Sequence, residues 1–162
     1  MLALRYVGLI ALTVWIGGLL VLGAIGAPAI FGVVDARHVA EGRALAGAIF
    51  GEAFRRFTLV SYGCGALVLG TLVARAVLGP RPMRFALRLA TATAMVAASA
   101  YSGFIVTPAI VRQQAEIEAA LANHRAADAY REAFGRLHAI STGVQLVPLL
   151  GGLMLLFWEV KE

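Results

Sequence analysis

Four long apolar stretches, separated by polar segments and one short turn, organise this sequence. They cover about residues 6–34, 57–78, 85–111 and 137–158. A helix needs about 20 apolar residues to cross the hydrocarbon core of a bilayer, and each stretch reaches that length. The short turn, Gly79-Pro80-Arg81-Pro82, cannot continue a helix because it holds two prolines in three residues. The pattern predicts an all-α integral membrane four-helix bundle, with residues 1–162 as a single transmembrane domain.

Two polar segments, residues 35–56 and 112–136, follow the first and third apolar stretches. In the first segment, 44–50 has amphipathic spacing and predicts a helix that runs into the second span. In the second segment, Ala-rich composition predicts that the third span continues as a helix, breaks near Asn123-His124, and returns as a helix. Four spans place both termini and the short turn on one side of the membrane, which we call the terminal side. The two polar segments then lie on the opposite side, which we call the excursion side.

An internal duplication is indicated by two segments that share Glu, Arg and Ser in the same order. Glu52-Ala-Phe-Arg-Arg-Phe-Thr-Leu-Val-Ser61 matches Glu132-Ala-Phe-Gly-Arg-Leu-His-Ala-Ile-Ser141 at an offset of 132 − 52 = 80 residues. Pro28 matches Pro108 at the same offset. Repeats of this kind predict two structural units. We therefore expect repeat halves of about 1–80 and 81–162, which form two like-oriented helical hairpins related by a pseudo-twofold axis along the membrane normal.

Composition supports the membrane assignment and changes how the charge is interpreted. Hydrophobic residues make up 60% of the chain and charged residues 14%, whereas soluble domains have about 25% charged residues. The net charge of +5 comes from arginines near the ends of the apolar stretches, where they meet lipid headgroups and set topology. We therefore predict no nucleic-acid partner. The expected partners are the lipid bilayer and other membrane subunits or further copies of the chain.

The distribution of arginine and lysine bears on orientation, because cytoplasmic loops are enriched in both. The terminal side carries six of the 14 basic residues, and they are concentrated around the short turn; the excursion side carries eight. The total number of basic residues therefore favours a cytoplasmic excursion side, whereas their local density around the short turn favours a cytoplasmic terminal side. We predict a bacterial-type inner-membrane protein with both termini cytoplasmic, because the density of basic residues is highest around the short turn.

Four short motifs together resemble a known family. They are Trp15-Ile-Gly-Gly18, Pro28-Ala-Ile-Phe31, Ala46-Gly-Ala-Ile-Phe-Gly51 and Arg136-Leu-His-Ala-Ile-Ser141. The chain resembles the four-helix membrane family of unknown function that includes the transmembrane protein 205-like proteins. The first motif is also similar to span one of the copper-resistance D and membrane protoporphyrinogen oxidase families. Both of those families imply histidines within or beside the helices, and the first three stretches here contain none.

A polar stripe in the fourth stretch is the main candidate for a binding site. Its members follow helical spacing and share one face: His138, Ser141, Thr142 and Gln145. Polar groups at membrane depth should face the bundle interior. The equivalent turn of the second span would supply their partners, Thr58, Ser61 and Tyr62. His138 would then bind a ligand or a proton; the alternative is a hydrogen-bonded seam that only packs the helices.

Paired charges stand ahead of the second and fourth spans. Glu52 and Arg56, and likewise Glu132 and Arg136, have the favourable i,i+4 order. They predict interfacial ion pairs or, as the alternative, one four-charge cluster that binds an anionic headgroup. No metal site is predicted, because His124 and Asp128 lack a third ligand. No cofactor is predicted either, and haem is kept as an alternative.

Three function classes remain open from the sequence. The first is a non-enzymatic structural, assembly or subunit-type membrane protein, which we favour. The second is a small-solute or metal-ion binding or transport protein with its polar site at His138. The third is a haem- or porphyrin-binding redox protein; since His138 is the one histidine within the apolar stretches, it would need a second ligand from elsewhere. The sequence identifies no reaction.

Overall fold

The structure is a computed structural model that describes residues 2–38, 42–123, 126 and 128–161. Four long helices account for nearly all of it: α1 (Leu2–Ala36), α2 (Gly42–Leu78), α3 (Phe85–Ala122) and α4 (Asp128–Val160). Each is long and apolar enough to cross a membrane. The described residues contain no strand. The prediction of an all-α bundle of four membrane-crossing helices is confirmed.

The helices pack in the order of the chain. α1 packs against α2 and α3 against α4, which gives two antiparallel hairpins, and further contacts join α2 to α3 and α1 to α4. A single apolar core runs between them, centred on the fully buried side chains of Trp15 and Met95. All four helices contribute to it, with Cys64 from α2 and Leu155 from α4 among its members. Cys64 is thus a buried packing residue, as expected.

The two hairpins meet mainly in their terminal halves. The segments Leu2–Val21 and Phe85–Tyr101 make the main contacts with the opposite hairpin. Ala27–Ala36 and Thr107–Ala122, nearer the excursion side, pack mainly on the partner helix of their own hairpin. Most contacts between the hairpins are therefore made by the terminal halves of α1 and α3.

Glycine permits close approaches between the two hairpins. A Cβ atom added to Gly152 of α4 would lie 2.5 Å from Cδ1 of Ile16 on α1. A Cβ atom on Gly65 of α2 would lie 2.7 Å from Val96 on α3. Small residues let membrane helices approach closely, and here they act at both interfaces between the hairpins.

Pro28 and Pro108 lie inside α1 and α3 and do not end these helices. A π-helical segment precedes each proline, Leu22–Gly26 in α1 and Ser102–Val106 in α3. Proline clashes with the carbonyl four residues earlier, and the wider π turn at that place lets the helix continue. The two π segments lie 102 − 22 = 80 residues apart.

The polar segments are also largely helical. Residues 44–50 belong to α2, which runs without interruption into the membrane span, as predicted. α3 ends at Ala122, and the side-chain amide of Asn123 donates to the carbonyl oxygen of Ala119 at 2.7 Å. The predicted break is therefore confirmed at Asn123, and His124 lies outside the described residues.

Candidate functional site

A cluster of charged side chains joins all four helices at the terminal side. Glu159 of α4 accepts from Arg88 of α3 at 2.5 Å and from Arg75 of α2 at 2.7 Å, both through Oε1. Nε of Arg5, on α1, lies 3.0 Å from Oε2 of the same carboxylate. We call these four residues the terminal cluster.

Most of the terminal cluster is withdrawn from the surface. The side chain of Arg88 is 1% exposed, those of Glu159 and Arg75 are 12% and 13% exposed, and that of Arg5 is 32% exposed. Backbone oxygens add to the network: Arg88 Nη2 donates to the carbonyl of Trp158 at 2.8 Å, and Arg5 Nη2 donates to the carbonyl of Glu159. Removing one partner of a buried ion pair leaves an uncompensated charge, which costs more than the pair contributes.

A cavity of about 30 Å³ lies beside the cluster and is lined by all four helices. Its charged wall is the terminal cluster itself, and its apolar wall includes Leu12, Val68 and Leu155. The hydroxyl of Thr71 also borders it, but that hydroxyl donates to the carbonyls of its own helix. The volume corresponds to about one water-sized group.

The polar stripe of α4 does not face the interior as a unit. His138 and Thr142 are exposed on the outside of the bundle, and Ser141 and Gln145 are partly buried. His138 stacks on Phe134 of its own helix, with ring centroids 6.2 Å apart. The expectation that His138 faces the interior is therefore wrong. The Thr107–Ala122 segment of α3 packs on α4 in this half of the bundle, but that contact leaves His138 and Thr142 exposed.

Gln145 makes the one interhelical hydrogen bond of the stripe among the described residues. Its Nε2 donates to Oγ of Ser102, 3.0 Å away on α3, and Ser102 is almost fully buried. The bond thus reaches the first residue of the α3 π segment. The residues expected as partners lie elsewhere.

Those expected partners, Thr58, Ser61 and Tyr62, serve other contacts. The hydroxyls of Thr58 and Ser61 donate to the carbonyls four residues earlier on α2, at 3.0 and 3.1 Å. The ring of Tyr62 stacks on Phe104 of α3, with centroids 5.6 Å apart. They pack α2 and do not meet His138 in one site.

The paired charges on the excursion side differ between the halves. Glu52 contacts both Arg55 and Arg56, each at 2.7 Å, and all three side chains are well exposed. Glu132 and Arg136 are exposed and make no ion pair with any described residue. Within the described part of the chain, the four residues therefore do not form one cluster.

The terminal cluster is the feature that sequence reasoning missed. A signal was present: Arg88 lies one turn inside α3 and Glu159 follows the last span, and ionisable residues at such positions usually have partners. Sequence alone did not show which arginines meet Glu159. Among the described residues, no three His, Cys, Asp or Glu side chains are placed to hold a metal ion.

The fold and the cluster together define an integral membrane helical bundle whose four helices are joined by ion pairs at the terminal side. A family model described as "Domain of unknown function (DUF4149)" matches residues 10–119. The chain belongs to this family. The match confirms the prediction that the chain belongs to a family of unknown function. No curated protein and no solved structure matches the chain.

Proposed function

We propose that this chain is a non-enzymatic membrane protein of the structural or assembly type, which acts as a subunit of a membrane complex or as an assembly of its own copies. The observation that carries the proposal is that its buried ion pairs, and one partly buried side-chain hydrogen bond, join different helices. Glu159 connects α4 to the three other helices, and Gln145 connects α4 to α3.

The surface supports an assembly role as well. Large apolar side chains are exposed along the helices, as a lipid environment requires. His138 and Thr142 add polar groups to the excursion half of this surface. A polar group at the protein surface near the membrane is better accommodated against another protein chain than against lipid tails.

Native mass spectrometry of the protein released from lipid nanodiscs tests this function. The chain has a mass of 17.0 kDa. We expect a defined species of higher mass, either a multiple of that value or a complex with other membrane subunits. In-membrane photo-crosslinking before extraction should give the same stoichiometry. A monomer as the sole species in both measurements would contradict the proposal.

Two structural proposals accompany the functional one. The first is the internal duplication, which the 80-residue spacing of the two π segments supports. The second is that the termini are cytoplasmic, which rests on Arg81 in the short turn and Arg84 just after it. In a Cys64→Ser background, a cysteine introduced at position 81 should react with impermeant thiol reagents only after the cells are opened. Labelling in intact cells would reverse the orientation.

The likeness to the transmembrane protein 205-like proteins also remains a proposal. It rests on the four short motifs, and it is compatible with a family whose activity is not known.

A further inference from the structure

We propose that the cavity at the terminal cluster is a binding site for one water molecule, which joins Glu159 of α4 to Thr71 of α2 and Arg5 of α1. The site lies at one end of the bundle and is separate from every residue that the sequence indicated for binding. The inference does not depend on the assembly role, because a single copy of the chain supplies every residue of the site.

A buried carboxylate oxygen in this cluster calls for a hydrogen-bond donor. Oε1 of Glu159 accepts from Arg75 and Arg88, whereas Oε2 is buried and accepts no hydrogen bond from any described residue. Nε of Arg5 lies 3.0 Å from Oε2, but without the alignment of a hydrogen bond, so this contact is an ion pair alone. Burying an acceptor is costly unless a donor replaces the water it has lost. The ligand of the site is therefore a donor.

The size of the cavity fits one small donor. A buried cavity takes up a water molecule only where there is room for it and where about two to four polar groups can bind it. The volume here is about 30 Å³, which is room for one water-sized group and excludes larger donors such as an organic amine.

Two further groups at the cavity complete the hydrogen bonds of the water. The hydroxyl of Thr71 donates to carbonyls of its own helix at 2.8 and 3.1 Å, which leaves the lone pairs of Oγ1 able to accept. Arg5 also lines the cavity and offers N–H groups that donate. The water thus donates to Oε2 of Glu159 and to Oγ1 of Thr71, and accepts from the guanidinium of Arg5.

Charge selects water over a cation of similar size. Arg5, Arg75 and Arg88 all line the cavity, so an ammonium ion would bring a further positive charge beside three guanidinium groups. Like charges repel more strongly where apolar walls lower the local dielectric constant, and Leu12 and Leu155 form part of such a wall. A neutral donor satisfies the carboxylate oxygen without this repulsion.

Radiolytic labelling of the purified full chain in lipid nanodiscs tests the site. X-rays convert water into hydroxyl radicals, which react with the nearest side chains, so a bound water marks the buried residues around it. We expect labelling of Leu12 and Leu155, which line the cavity, although they are only 3% and 5% exposed. Ile16 is the matched control, because it is 4% exposed and does not line the cavity. Labelling of both leucines no greater than that of Ile16 would overturn the proposal.

Two variants with the same chemical change locate the water. Thr71→Val replaces the hydroxyl at the cavity by a methyl group, and Thr58→Val does so elsewhere on α2, where the hydroxyl also donates to its own helix. We expect Thr71→Val to reduce the labelling of Leu12 and Leu155 to the level of Ile16, and Thr58→Val to leave it unchanged. An equal effect of the two variants, or none from either, would overturn the assigned partners. The wild-type comparison decides the matter even if Thr71→Val does not fold.

Thermal unfolding in detergent separates water from a cation. The protein is titrated with ammonium chloride and, at equal ionic strength, with sodium chloride. We expect the same unfolding midpoint in both salts, because a neutral water binds at the site. A saturable rise of the midpoint in ammonium chloride alone would assign the cavity to the cation and overturn the water assignment.

Discussion

At the terminal end of the bundle, Glu159 contacts arginines of three other helices, whereas at the excursion end Glu52 contacts only Arg55 and Arg56 of its own helix. The first group is mostly buried and the second is exposed. An exposed pair within one helix supports that helix only, and its energy is small because water and salt screen it. A buried pair between helices constrains how the helices are placed, and breaking it leaves a charge without compensation.

Packing follows the same division. In the terminal half, Gly152 brings α4 close to Ile16 of α1. In the excursion half of the same helix, Gly143 is exposed, with nothing within 4 Å of where a Cβ would lie. The buried ion pairs between the hairpins thus lie at the terminal end, together with the close approach at Gly152, while Tyr62 of α2 also packs closely on Gly103 and Phe104 of α3.

The largest effect is expected from Glu159→Gln. The change keeps the side-chain shape but removes the negative charge that faces three arginines. We expect the free energy of unfolding to fall by roughly 3–5 kcal/mol, as found when one partner of a buried ion pair is removed. Unfolding by SDS titration in mixed micelles measures it. Glu52→Gln is the matched control and should cause no measurable loss; equal losses would remove the distinction between the two ends.

A smaller effect is expected from Gly152→Ala. The new methyl group would lie 2.5 Å from Ile16, so α1 and α4 must separate or Ile16 must change rotamer, at a cost of about 1–3 kcal/mol. Gly143→Ala on the same helix should be neutral or slightly stabilising, because alanine favours helix by up to about 1 kcal/mol over glycine. The same titration measures both. A loss of similar size in both variants would mean that the excursion half is packed as tightly as the terminal half.

Gln145→Leu should lower the free energy of unfolding by less than Gly152→Ala does. It removes the hydrogen bond to Ser102, and such bonds between membrane helices contribute about 0.6 kcal/mol on average and about 1.7 kcal/mol at most. Thr142→Val is the control, since the Thr142 hydroxyl donates to the carbonyl of His138 on its own helix. If Thr142→Val lowered the free energy of unfolding by more than Gln145→Leu, the interhelical role of Gln145 would be contradicted.

The smallest effect is expected from His138→Ala. The side chain is exposed and its described ring contact is with Phe134 of the same helix, so the free energy of unfolding should change by no more than about 0.5 kcal/mol. The effect on assembly is the informative measurement. If the face around His138 contacts another chain, native mass spectrometry should show a weaker complex although the monomer is as stable as the wild type. A large loss of monomer stability would place His138 in the packed interior instead.

Much of the fold could be predicted from the sequence because a bilayer imposes length and apolarity on each span. The four spans, the short turn and the break at Asn123 follow from local composition. The π segments could not be predicted in the same way. Pro28 and Pro108 indicated that the helices had to adjust, but whether a helix kinks, ends or widens depends on the neighbours that hold its continuation in place.

The candidate site was predicted less well, and the reason is geometric. Helical spacing groups His138 and Gln145 on one face of α4, but the rotation of α4 about its axis decides whether that face meets a neighbour. The sequence by itself determined which residues are apolar enough to cross the membrane and which are charged at the ends. Only the tertiary structure decided that Arg5, Arg75 and Arg88, from three separate helices, converge on Glu159, because contacts between helices depend on their relative depth and rotation, which no local pattern encodes.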